Sequence, residues 1–166
     1  MKAAGDHGWI FAGDGNDSIT VGDGNFNIWT GAGNDTIALG SGTDTVTAQG
    51  HATVSGGTHD LLIASGNASI SVSGGNNDTF IGGSGHDSVN VVSGSSSVDF
   101  QFYASLSGST ATHDITGFAA SDTIDLFNLT AAAPVVIGGN TVITLSDGSH
   151  ITLNGYTGAV NINHTP

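Results

Sequence analysis

The chain of 166 residues contains no cysteine, and its only base is Lys2. Without cysteine, neither a disulfide framework nor a thiolate zinc site can form. Glutamate is also missing, so all 14 acids are aspartates and the formal charge is −13. Nothing in such a chain can neutralise phosphates, which excludes nucleic acid as a partner. An anionic membrane surface is disfavoured for the same reason. No run approaches the roughly 18 apolar residues of a membrane helix, so membrane insertion is not expected. The start, "MKAAGDHGWIF", lacks the apolar core of a secretory signal peptide. Export would need another route, or the chain is a fragment of a longer one. Among catalytic and metal motifs, G-x-S-x-G, H-E-x-x-H and H-x₃-H do not occur.

Glycine is abundant, at 27 residues. Together with the charge, that composition is compatible with disorder. Against it, 37% of the residues are hydrophobic, and they recur in register. Gly13, Gly22, Gly31 and Gly40 lie nine residues apart, as do Gly15, Gly24, Gly33 and Gly42. Two residues after the second set come Asp17, Phe26, Asp35 and Asp44, and two further on Ile19, Ile28, Ile37 and Val46. The unit is x-G-x-G-x-D-x-apolar-x. After an imperfect segment, "AQGHATVSGG", the frame slips by two and the period returns as Asp60, Ser69, Asp78, Asp87 and Ser96. From about residue 99 it is lost.

Each unit reads as a glycine-permitted turn followed by a very short strand with one inward apolar side chain. One unit cannot bury a core, but stacked units can. Two units per coil give 18 residues per coil and two facing sheets. Turns 18 residues apart then sit one above the other.

The stretches "AGDGNDSIT", "TGAGNDTIA", "LGSGTDTVT" and "GGSGHDSVN" resemble the GGxGxDxUx nonapeptide of RTX (repeats-in-toxin, haemolysin-type) proteins over roughly residues 8–98. The resemblance implies an all-β fold, a right-handed parallel β-roll that binds Ca²⁺ between successive turns. It also implies a module of a bacterial protein that reaches the outside by type I secretion, with an uncleaved signal near the C-terminus. Residues 1–98 are assigned to the roll. Residues 99–166 are assigned to a C-terminal antiparallel β cap that would carry any secretion signal.

The chemistry agrees. Ca²⁺ is a hard cation that takes six to eight oxygens from carboxylates and carbonyls. A glycine turn can aim several carbonyls at one point, and the short Asp reaches back to its own turn. Asp17 and Asp35 make the best pair, with carbonyls from Gly13, Gly15, Asn16, Gly31, Gly33 and Asn34. Asp60 and Asp78 make the second, around Gly56, Gly57, Gly74 and Gly75. Asp44 faces Phe26 and Asp87, in the turn with Gly83 and Gly85, faces Ser69, so each lacks a second carboxylate. The turn at Ser96 offers Asp78 a degraded partner. About two to four ions are expected. The competing reading is that these aspartates only cap Asx-turns.

Other residues are assigned bland roles: His59 and His86 as solvated turn residues, His113-Asp114 as a turn, Asp14 as an outward variable position. Trp9 and Trp29 should point outward from adjacent coils. The repeat is already under way at Gly8 to Phe11, which suggests an artificial start at Met1 and an upstream domain of the same parent packing on the Trp pair. Stacking on sugar rings is the alternative. Beyond the repeats, "DITGFAASDTIDLFNL" suggests two short strands, and "VVIGGNTVITLSDGSHITLNGY" two hairpins or a meander. Asp122, Asp125 and Asp147 are read as turn residues rather than ligands.

The function expected is Ca²⁺-coupled folding in support of export, folding and stability of a larger secreted or cell-surface protein, without catalysis by this chain. The alternatives are a carbohydrate-binding or adhesive roll beside a polysaccharide-modifying enzyme or in a surface layer, with polysaccharide as partner, and an enzyme whose site lies on the C-terminal part. An ice-binding face is disfavoured, because Ser18, Thr36, Thr20 and Ala38 do not form regular threonine ranks.

Overall fold

The computed structural model describes residues 1–3, 5–65, 67–92, 97–104 and 110–166. Among them there is no helix, hence none long and apolar enough to cross a membrane. Short strands follow one another along the chain. They are β1 (Lys2–Ala3), β2 (His7–Gly13), β3 (Ser18–Val21), β4 (Asn25–Thr30), β5 (Asn34–Ala38) and β6 (Thr45–Ala48). Next come β7 (His51–Ser55), β8 (Leu61–Ala64), β9 (Ser69–Ser73), β10 (Thr79–Ile81), β11 (His86–Val91) and β12 (Asp99–Tyr103). The last are β13 (Thr112–Thr116), β14 (Thr123–Phe127), β15 (Val135–Ile137), β16 (Asn140–Thr144), β17 (His150–Asn154) and β18 (Asn161–Thr165).

From β1 to β14, successive strands alternate between two sheets. One has the order β1-β3-β5-β7-β9-β11-β13-β17-β16-β15, the other β18-β14-β12-β10-β8-β6-β4-β2. Odd strands therefore stack on odd and even on even, in parallel, and two strands make one coil. The protein is a parallel β-roll.

The register explains the apolar period. In the first sheet Ile19, Ile37, Val54, Val72 and Val91 lie in one row. In the second, Ile28, Val46, Leu62, Phe80, Phe100 and Ile124 do the same. The two rows face each other and form the buried core. Each such side chain contributes about 1.5–3 kcal/mol by leaving water, and every coil covers the apolar face of its neighbour.

The coil length is 18 at first, as Ser18 pairs with Thr36. It then varies: Thr36 pairs with Thr53, and Thr45 with Leu61. The parallel ladder does not stop at residue 98. β12 pairs with β14, β13 with β17 and β14 with β18, all parallel, over longer coils. Residue 98 thus marks the end of the nine-residue period rather than the end of the coil. Among the described residues, antiparallel pairing occurs in the meander β15-β16-β17 and at the single bridge Ala131–Leu145. The extra length of the β13-to-β17 coil accommodates β14, β15 and β16 within one turn of the roll.

Candidate metal centre

The turns between sheets stack along two edges of the roll. On one edge the Asp17 N–H donates to Asp35 Oδ1 at 3.0 Å. On the other, each inward carboxylate accepts the backbone N–H of the coil before it. Asp44 Oδ1 accepts from Phe26 at 2.7 Å, Asp60 Oδ1 from Asp44 at 2.8 Å, and Asp78 Oδ1 from Asp60 at 3.1 Å. Asp44, Asp60 and Asp78 therefore form a continuous column. The Asp44–Asp60 step spans 16 residues, not 18, which is why counting by nines does not reveal it. Following the turns through the slipped frame would have found it.

These carboxylates are inside the protein. Asp35, Asp44, Asp60 and Asp78 are 0–2% exposed, and Asp17 is half-buried. Their position in each coil is two residues before the inward apolar residue, so alternation points them to the same side. One oxygen of each is used as described. The other, Oδ2, has no hydrogen-bond partner in Asp17, Asp35, Asp44 and Asp60, and is buried. Burial pushes the Asp44 and Asp78 carboxyls above the usual range, against the hydrogen bonds they accept from Phe26 and Asp60. It drives Asp60 up to about 7, against the hydrogen bond from Asp44 and with the neighbouring carboxylates adding to the rise.

The turns leave room for this. A Cβ on Gly57 would meet Asp60 Oδ2 at 1.8 Å, so glycine alone lets the carboxylate fold over its own turn. Gly75 stands in the same relation to Asp78. On the other edge, a Cβ on Gly33 would meet the Gly15 carbonyl oxygen at 1.6 Å, so the coils approach too closely for a side chain. The turns come in two forms. Around Asp17, Asp35 and Asp44 the chain reads G-x-G-x-D with the second glycine at positive φ. Around Asp60 and Asp78 it reads G-G-x-x-D, and His59 and Asn77 take positive φ in addition to Gly56, Gly57 and Gly74.

Among the described residues, no three His or Asp side chains converge as metal ligands. Carboxylates arrive one per coil, so most oxygens in a cage must come from turn carbonyls. Those of Gly13 and Gly33 already accept the N–H of Gly31 and His51, which leaves each a second lone pair. Gly15, Asn16, Gly31 and Asn34 lie in the same two stacked turns, and Gly56 and Gly74 in the two that carry Asp60 and Asp78.

Comparison with known proteins bears on this arrangement. The family model for the RTX calcium-binding nonapeptide repeat (4 copies) matches residues 5–25, 11–46 and 72–96. These are RTX repeats. The matched stretches contain Asp17, Asp35, Asp44, Asp78 and Asp87 but not Asp60, which lies in the slipped part of the chain. No curated protein sequence matches the chain. Among solved structures, the extracellular lipase LipA from Serratia marcescens is similar, at 19% identity and a TM-score of 0.39. The alignment covers 87% of this chain and 37% of the lipase chain. RTX repeats bind calcium, and the orphaned Oδ2 atoms are the feature here that a cation would satisfy.

Two expected positions differ. Asp87 does not face Ser69: Ser88 pairs with Ser69, and Asp87 Oδ1 accepts the Ala68 N–H at 3.2 Å. The coil here is 19 residues long, which shifts the frame by one. Asp87 Oδ2 is satisfied as well, by the Gly83 N–H at 2.9 Å and by His113 Nδ1 at 3.1 Å. Gly85, at positive φ, shapes this turn. His113 is thus no turn residue but a buried member of β13, stacked on Phe102. It gives Asp87 Oδ2 a second partner inside the protein. Asp122 likewise has both oxygens bonded, to the Val98 and Ala119 N–H groups, and works as a turn cap. Ser96 lies outside the described residues. Asp14, set down as a variable position, accepts the Ala32 N–H at 3.0 Å and laces its turn to the next.

Proposed function

We propose that this RTX roll folds around calcium held in two rows. One row is carried by Asp17 and Asp35, the other by Asp44, Asp60 and Asp78. The carrying observation is the set of buried carboxylate oxygens left without partners in a chain whose only base is Lys2. The number of stacked steps, one in the first row and two in the second, supports about three ions, within the two to four expected from sequence. Carbonyls of Gly13, Gly15, Asn16, Gly31, Gly33 and Asn34 complete the first row. Those of Gly56, Gly57, Gly74 and Gly75 complete the second. Bound calcium supplies the positive charge that lets adjacent turns approach. Asp87, with Gly83 and Gly85, is withdrawn from the ligand set, because His113 completes it.

Extracellular calcium modules bind at about 10⁻⁴–10⁻³ M. At cytosolic calcium the chain stays unfolded, which suits passage through a secretion channel, and outside the cell it folds. The module then supports a larger bacterial protein exported by a type I route, to the medium or the cell surface, and does no chemistry itself. The test is circular dichroism of the chelated chain during calcium addition. A gain of β signal at millimolar calcium, absent with magnesium, is expected. No gain would sink the reading.

A further inference from the structure

A surface patch that borders the turns of Gly13 and Gly31 is not accounted for by calcium. On β2 the outward residues include His7, Trp9 and Phe11, of which Trp9 and Phe11 are 69% and 68% exposed. On β4 the outward residue in register with Phe11 is Trp29. The three rings stack. Trp9–Trp29 and Phe11–Trp29 centroids are each 5.0 Å apart, at 15° and 11° between planes. Trp9 and Phe11 lie 6.5 Å apart, at 26°. Trp29 therefore backs two nearly parallel rings whose other faces are open. Exposed aromatic clusters of this kind mark interaction sites rather than chance surface.

The surroundings say what would bind. Beside the rings runs a shallow cleft of about 210 Å³, lined by Phe11, Trp29, Thr30, Thr47 and Gln49 with the Gly13 and Gly31 backbone. None of these lining residues is charged. Flat apolar faces bordered by hydroxyl and amide groups fit a ligand that is apolar on one face and hydroxylated at its rim. A pyranose ring has that form. The chain's charge of −13 and a lining without a basic side chain disfavour acidic sugars.

We infer that Trp9, Phe11 and Trp29 form a platform for a neutral polysaccharide whose chain crosses the rings and continues along the cleft past Thr47 and Gln49. The same roll is thereby both a calcium-folded module and an anchor to a glycan. Isothermal titration and indole fluorescence on the full chain in millimolar calcium test it, with cellohexaose, xyloglucan and mannohexaose as probes and polygalacturonate as the acidic comparator. At least one neutral glycan is expected to bind and shift the indole emission, and the comparator is not. Trp9→Ala and Phe11→Ala replace exposed side chains, so both variants keep the circular dichroism of the parent. Each is expected to weaken binding by about tenfold or more. Trp29→Ala adds a third reading where its fold is intact. The inference is overturned by silence with all three neutral probes, by unchanged affinity in Trp9→Ala and Phe11→Ala, or by preference for polygalacturonate. Sedimentation showing a dimer that Trp9→Ala dissolves also overturns it, since the patch would then serve a second copy of the chain.

Discussion

Asp60 and Asp87 occupy the same kind of position and behave oppositely. Asp60 has one oxygen without a partner, while Asp87 has none. Asp60→Asn is therefore expected to reduce the calcium bound per folded chain. Asp87→Asn should lower the melting temperature in saturating calcium and leave the calcium bound unchanged. It loosens a buried bond to His113, at a cost of about 1–3 kcal/mol. Equilibrium dialysis with calcium and thermal melts in saturating calcium separate the two. The same chemistry sets a pH dependence. Burial raises the Asp44, Asp60 and Asp78 carboxyls above their unfolded value of 3.8, Asp60 to about 7. A raised folded value means that folding favours the protonated form. The contribution is fully present below the unfolded value and is lost as pH climbs through the folded one. In chelator, then, the β signal should rise as pH falls from about 8 to about 4. In saturating calcium the order reverses, because protons and calcium compete for the same oxygens. Gly33→Ala gives a purely steric comparison. Its Cβ would collide with the Gly15 carbonyl at a φ of +145°, and a loss of more than about 2 kcal/mol is expected in denaturant titration.

Among the strands, those carrying repeats and those beyond them were unequally legible from sequence. The period of nine identified β3 to β6 with their inward residues, because each turn there contains two glycines at fixed places, followed by an aspartate in every turn but the one with Phe26. It did not register the coil joining Asp44 to Asp60, since two residues are missing and the turn changes form. The error at Ser69 has the same origin: an inserted residue moves Ala68, not Ser69, opposite Asp87. Past residue 98 the coils continue without any repeat. Packing of Phe100, Ile124 and Leu126 holds β12 and β14 in place, and apolar packing requires no fixed spacing. His113 was unreadable for a related reason. Its partner lies 26 residues back, on a coil whose length no period announces. The meander offers a graded test. Val135, Val136 and Ile137 in β15 are exposed, whereas Ile143 in β16 is fully buried. Val136→Thr should change stability by less than about 0.5 kcal/mol. Ile143→Ala should cost about 2–5 kcal/mol. Equal effects would mean that β15 is covered in solution.

Taken as one body, the roll is a stack in which every coil touches only its neighbours, so its stability is a sum of local terms and interfaces. With 14 acids and one base, those interfaces are repulsive until a cation intervenes. Screening by monovalent salt should therefore compact the chelated chain partway, seen as a smaller radius in X-ray scattering at about 1 M than at 0.1 M potassium chloride. Asp60 makes the larger point. It bonds backward to Asp44 through its own carboxylate and forward to Asp78 through its N–H, so it belongs to two adjacent steps of one column. An ion entering either step fixes a residue that the other step also needs. The second ion then finds half its ordering already done. Occupancy along this edge should climb as a threshold, with a Hill coefficient above 1, and Asp60→Asn should flatten it. A chain crossing from low to high calcium would pass abruptly from slack to rigid, and would act as a ratchet against its own return.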